Sequence, residues 1–189
     1  MITFGALITG LWLIFLAYWF VAALRVKPSV GGRWRGIVSR VAFAVAIVLL
    51  VRASLREHVW RLVPHPDTNG GFVAGCVGVA VCALGIGIAI WARTQLGRNW
   101  GMPMSLREGH ELVTTGPYAL VRHPIYTGIL LAVAGTILVE WFPWIVVLPA
   151  SFAYFVYAAK VEERSMLRQF PNEYPEYMNR TKMLIPFLF

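Results

Sequence analysis

Two stretches of this chain hold the polar side chains that its composition does not explain. The first runs His110-Glu-Leu-Val-Thr-Thr-Gly-Pro-Tyr118-Ala-Leu-Val-Arg122-His123-Pro124-Ile-Tyr126-Thr-Gly128, and the second is Glu162-Glu163. In the first, Gly116-Pro117 is a turn signal, and Pro124 suits the first position of a helix, where its missing N–H costs nothing. Arg122 and His123 are then expected at a helix N-terminus, beside free backbone N–H groups that favour an anion such as a carboxylate. As a helix-end residue, His123 is expected to contribute little packing. In the second stretch, two adjacent carboxylates fall at the expected C-terminal end of a helix, where the helix dipole disfavours them. Either Lys160 and Arg164 compensate them, or a cationic ligand does. N–H groups on one wall and carboxylates on the other suit a zwitterionic amino acid or a sulfonium.

The elements that position these groups follow from hydropathy. Residues A, V, I, L, M, F, W, Y and C make up 58% of the 189 residues, and charged residues 14%. A soluble domain has about 45–50% apolar residues even with glycine counted, and about 25% charged. With a mean hydropathy of +0.65, the excess cannot hide in one water-soluble core and must face lipid. Residues 2–24 carry no charge and as a helix reach about 34 Å, enough for a bilayer core. Residues 37–51 are shorter and include Ser39 and Arg40, so they span only if Arg40 snorkels or the helix continues toward Leu55. A third run, 71–92, contains Gly71, Gly75, Gly78, Gly85 and Gly87. These read as a close-packing face, because no strand precedes them and no G-x-G-x-x-G is present. Runs 125–139 and 144–159 are separated only by Glu140-Trp-Phe-Pro143, which implies a helical hairpin with Glu140 as a turn residue in the headgroup layer.

The hairpin brings the two stretches together. Its first helix starts where its second ends, so His123 to Tyr126 and Glu162-Glu163 are expected to be neighbours at one membrane face. Lys and Arg set the orientation: segments 25–40, 93–122 and 160–182 carry five, four and five of the 17, while 52–61 carries three and the hairpin turn none. Five spans with the N-terminus outside put the first three segments in the cytoplasm. The expected fold is therefore an all-α integral membrane protein of about five transmembrane helices. Its cytoplasmic-side pocket is formed by the 93–124 loop, the hairpin and the C-terminal tail. One membrane domain covers 1–189, with three spans in 1–92 and a catalytic half in 93–189.

Other classes are excluded on similar grounds. The net charge of +8 lies between apolar runs, where it meets lipid headgroups, and no basic stretch interleaved with aromatics suggests nucleic acid. Cys76 and Cys82, six apart on one helix, point to different sides and make neither a disulfide nor a metal pair. No metal is expected. The first run lacks a basic n-region and is too long for a cleaved signal, so it is expected to be retained.

The ordered set H-x-L-V-T-T-G-P-Y-x-x-x-R-H-P-x-Y-x-G, a hairpin, Glu162-Glu163, and the tail Glu173-Tyr-Pro-Glu-Tyr177-Met-Asn-Arg180-Thr-Lys-Met-Leu-Ile-Pro186-Phe187 resembles the isoprenylcysteine carboxyl methyltransferases and their prokaryotic relatives. The match covers about 110–187. R-H-P-x-Y by itself also occurs in phospholipid N-methyltransferases and sterol reductases. The resemblance implies a membrane O-methyltransferase that uses S-adenosyl-L-methionine on a lipophilic acceptor among membrane lipids. It implies that His110, Glu111, Leu112, Val113, Tyr118, His123, Pro124, Ile125, Tyr126 and Glu162 line the cofactor site, with Glu163 a further candidate beside Glu162. The eukaryotic enzymes carry an Arg four residues before the first Glu to hold the substrate carboxylate, and here that position is Ala158. Lys160, Arg122 and Arg180 are the cations left for the role, and Arg122 and Arg180 are the candidate catalytic residues. The competing functions are a phospholipid N-methyltransferase, an NADPH-dependent sterol-reductase-like enzyme, and a small transporter or membrane scaffold. Against transport, no charge lies mid-membrane in runs one, three, four or five.

Overall fold

The computed structural model describes residues 3–24, 69–97, 111–140 and 144–188. The expected span at 37–51, residues 98–110 of the expected 93–124 loop with His110, and the turn residues 141–143 lie outside them. Five α-helices are described: α1 (Phe4–Leu24), α2 (Asn69–Leu96), α3 (Pro124–Glu140), α4 (Trp144–Gln169) and α5 (Glu173–Arg180), with a 3₁₀ turn at Gly116–Ala119. Within Phe4–Ala22 and Gly71–Leu96 the chain is long and apolar enough to cross a bilayer, and Pro124–Glu140 is a shorter apolar helix. Among the described residues the protein is all-helical apart from one isolated parallel bridge between Val121 and Lys182.

The core is built from Ile8 and Phe15 of α1, Cys82, Ile86 and Ala89 of α2, and Ala132 of α3. Trp12 Nε1 donates to Thr136 Oγ1 at 3.1 Å, tying α1 to α3 through a polar contact inside an apolar bundle. Large apolar side chains such as Ile14, Phe20, Val73 and Leu84 remain exposed, as side chains that meet lipid must. Cys82 is buried and Cys76 exposed, on different sides of α2 as their spacing requires.

The glycines of α2 divide by what they face. A Cβ at Gly78 or Gly85 would come under 3.0 Å from the backbone of Gly135, or of Gly128 and Ala132, and Gly128 and Gly135 are blocked reciprocally by α2. Gly75 receives the Phe4 ring, whereas Gly87 faces open space. Gly85→Ala should therefore cost about 1–3 kcal/mol by overpacking. Gly87→Ala should be neutral or stabilising, since alanine is the better helix former. Thermal melts of both variants in detergent check this; equal melting temperatures would refute the packing assignment.

Two expectations change here. The helix carrying Glu162 and Glu163 does not end beside them but continues to Gln169. Residues 160–169 include good helix formers (Lys, Glu, Arg, Met, Leu, Gln) and no breaker before Pro171, so both carboxylates sit in a helix interior and the dipole penalty does not apply. Glu140 is not a turn residue: it is the last residue of α3 and is buried at 7% exposure, with Oε1 close to Gly5 of α1.

Candidate active site

The α3–α4 hairpin places the start of α3 against α4 two turns before its end. His123, 8% exposed, lies between the two carboxylates: Nδ1 is 3.4 Å from Glu162 Oε2, and Nε2 is 3.3 Å from Glu163 Oε1. Tyr126, one turn into α3, donates its hydroxyl to Glu162 Oε1. The His123 ring stacks on Tyr126 at 5.5 Å, and Tyr126 stacks on Phe155 at 4.6 Å. Phe155 lies seven residues before Glu162, on the same face of α4.

Arg122 turns the other way. Its Nε reaches Glu163 Oε1 at 2.6 Å, and Nη1 donates to the carbonyls of Thr181 at 2.5 Å and Met178 at 3.3 Å. The expected free N–H groups at 122 and 123 are occupied: Arg122 N–H donates to Lys182 O at 2.8 Å and His123 N–H to Met183 O at 3.1 Å. Extended residues after α5 provide these acceptors, and Thr127 Oγ1 adds a bond to Leu184 O at 2.6 Å. The positive groups beside Glu163 are thus Arg122 and His123, while Lys160 and Arg164 are exposed.

The remaining candidates are placed as follows. Tyr118, buried in the 3₁₀ turn, accepts at its carbonyl the Tyr177 hydroxyl at 2.7 Å. Burial, with the charge of Glu162 nearby, pushes its phenol up, so it stays protonated. Pro124 is buried at the first position of α3, and Ile125 is half-buried. Glu111 is exposed, and Leu112 and Val113 are half-buried, in the segment leading to the turn. Arg180 stays apart: it is exposed on α5 with Nη2 3.6 Å from Glu176. Among the described residues no group of His, Cys, Asp or Glu is arranged to hold a metal. Sequence reasoning gave no role to Phe155, Thr127, Tyr174, Tyr177 or the buried Arg93, whose environment includes Tyr18 and Tyr118. For Phe155 the heptad spacing to Glu162 was the available signal. For Tyr174 and Tyr177 it was their i,i+3 spacing on one face of an otherwise polar helix.

Burial disfavours a charged imidazole at His123, but hydrogen bonding and charge from Glu162 and Glu163 outweigh it and raise its pKa above 6.5. Burial acts against ionised Glu163 as well, yet His123 and Arg122 hold its carboxyl below 4.5. The stabilisation from His123 is complete below its unfolded pKa and is lost as pH rises through the raised folded value. That from Glu163 is present above its unfolded pKa and is lost as pH falls through the lowered folded value. Melting temperature should therefore be highest between these limits and fall on the alkaline side as His123 loses its proton. His123→Gln should remove that alkaline fall; an unchanged alkaline flank in the variant would show that the ring does not carry it.

A model of the family described as "Phospholipid methyltransferase" matches residues 73–173. The chain belongs to the phospholipid methyltransferase family. Its relatives include the cobalt-zinc-cadmium resistance protein CzcN of Cupriavidus metallidurans, 32% identical over 146 residues, covering 70% of this chain and 64% of that protein. A probable protein-S-isoprenylcysteine O-methyltransferase of Oryza sativa subsp. indica is 27% identical over 145 residues, covering 75% and 76%. Methanethiol S-methyltransferase 2 of Bradyrhizobium diazoefficiens is 30% identical over 141 residues, covering 69% and 53%. The chain thus spans a little under two thirds of the length of the metal-resistance relative. Among solved structures, the eukaryotic intramembrane Ras methyltransferase (isoprenylcysteine carboxyl methyltransferase) superposes with a TM-score of 0.63 at 22% identity, covering 98% of this chain and 65% of that one. The fold is therefore that of the isoprenylcysteine carboxyl methyltransferase architecture, as the ordered motifs predict.

Proposed function

We propose that this protein is a membrane methyltransferase that uses S-adenosyl-L-methionine to methylate a lipophilic acceptor, with a carboxylate as the acceptor group. The observation that carries this reading is the environment of Glu162. Its side chain is 30% exposed, against 8% for Glu163, and it stands beside the rings of His123 and Tyr126. A partly exposed carboxylate at this position suits the cationic groups of the cofactor, its sulfonium and the α-ammonium that S-adenosylhomocysteine keeps. Tyr126 and His123 hold the two Glu162 oxygens in place, so its orientation is set before a ligand arrives. Tyr118, Pro124 and Ile125, with His110, Glu111, Leu112 and Val113, make up the rest of the set proposed to contact the cofactor.

When bound there, S-adenosyl-L-methionine supplies an electrophilic methyl group on a sulfonium. An ionised carboxylate acceptor needs no base. The residues' part is to hold the two reactants in line and to keep water away, which strengthens the attraction between their opposite charges. Ala158, half-buried on α4, leaves no cation at the position where an Arg is expected for prenyl-cysteine. Lys160, two residues further along and about 200° round the helix, is exposed. A different lipophilic carboxylate is therefore the proposed acceptor, and efficient turnover of N-acetyl-farnesyl-cysteine by the wild type would argue against that choice.

The fivefold-spanning arrangement of a single domain, with the pocket on the cytoplasmic face, is proposed on the Lys/Arg distribution. Outside labelling of a cysteine placed at 112 or 175 would overturn it. The function itself is tested by thermal shift of the purified protein. S-adenosylhomocysteine should raise the melting temperature, by about 2.7 kcal/mol of stabilisation at 100 times its dissociation constant, and NADPH should not. A shift with NADPH alone would favour a reductase.

A further inference from the structure

Glu162 and Glu163 are adjacent in sequence but not equivalent in the structure. Glu163 is buried, and its Oε1 takes both Arg122 Nε at 2.6 Å and His123 Nε2 at 3.3 Å. Arg122, with a side chain 9% exposed, spends its other observed bonds on the carbonyls of Met178 and Thr181. Both side chains are thus nearly buried, at 9% and 8% exposure, and turned toward internal partners. The segment they grip is held along its length: Arg122 N–H and His123 N–H bond to Lys182 O and Met183 O, Thr127 Oγ1 to Leu184 O, and the Tyr177 hydroxyl to Tyr118 O. The same strap therefore runs beside the start of α3, where His123 orients Glu162.

We propose that Arg122 and Glu163 form a latch that fastens residues 177–184 across the start of α3 and fixes His123, leaving Glu162 as the carboxylate of the pair that meets the cofactor. Arg122 is then a positioning residue, acting through Glu163, His123 and the tail, and not a group that touches the acceptor. The inference rests on the proposed cofactor site for its second half only; the latch itself stands on the contacts.

The test uses the full chain in lipid nanodiscs, with hydrogen exchange followed in peptides covering 173–184 alongside steady-state methyl transfer and S-adenosylhomocysteine binding. Arg122→Ala and Glu163→Gln should each speed exchange in those peptides about tenfold or more. Each should also raise KM for S-adenosyl-L-methionine about tenfold with kcat changed less than about threefold. Arg122→Lys, which keeps the charge, should restore most of both. Glu162→Gln should weaken S-adenosylhomocysteine binding with tail exchange unchanged. If Arg122→Ala raises KM while tail exchange stays at the wild-type rate, Arg122 touches a ligand directly and the latch is wrong. If the tail loosens with KM unchanged, the latch does not position the site. If Glu162→Gln binds S-adenosylhomocysteine like wild type while the latch variants loosen the tail, the cofactor reading fails and the latch stands. Should the single variants not fold, Arg122→Met combined with Glu163→Met removes both charges at similar volume. That pair should fold and show the same loosened tail; a tail as protected as wild type would overturn the proposal.

Discussion

His123→Ala is expected to lower methyl transfer about 100-fold and to destabilise the fold by about 3–5 kcal/mol. The first effect follows from geometry. Glu162 is oriented by two groups, Tyr126 and His123, and removing one lets the carboxylate swing away from its ligand. The second follows from charge. The ring is 8% exposed and stands between two carboxylates, so its loss leaves Glu163 with Arg122 alone and brings two like charges together without the cation between them. The loose helix-end packing expected from sequence does not hold, because the ring is also stacked on Tyr126. Melting temperature and initial rate of the variant measure the two effects separately. A variant that melts like wild type would mean the ring carries no structural charge pairing. A variant with full activity would move the reaction elsewhere.

Glu162→Ala is expected to weaken S-adenosylhomocysteine binding at least tenfold, with a smaller effect on folding than His123→Ala. A charge-assisted contact is worth roughly 1.5–3 kcal/mol, which corresponds to about ten- to a hundredfold in affinity. The partial exposure of this side chain limits what its removal costs the fold. The Tyr126 hydroxyl loses its acceptor but lies where water can replace it. Glu163→Ala should show the reverse balance, because its partners are internal.

How much of this was legible in the sequence depends on the kind of contact. That His123 and Tyr126 meet Glu162 and Glu163 follows from a four-residue turn between two apolar runs, which forces an antiparallel pair. Spacing puts Gly78 and Gly85 on one face and Gly87 on another, but which face packs could not be read, since that depends on the position of α3. The end of α4 was misplaced because hydropathy stops at Ala159, whereas helix propensity carries on to Gln169. Apolar runs mark where a helix is dry, not where it ends. The role of Arg122 was obscured for another reason. Besides Glu163, its partners are backbone carbonyls at Met178 and Thr181, and a carbonyl leaves no trace in residue identity. The tail pattern did quote Tyr177 and Thr181, but the strap they form became visible only with the bridge between Val121 and Lys182. Arg180, the other cation of the tail, shows the opposite case: an i,i+4 spacing to Glu176 explains its exposed position.

Calorimetric titration of the full chain in nanodiscs with S-adenosylhomocysteine shows whether the methyl donor binds at Glu162. Wild type should bind with a single saturable isotherm, and Glu162→Ala should bind at least about tenfold more weakly. Absence of binding to the wild type, or the same affinity in both proteins, would rule out a donor site at Glu162.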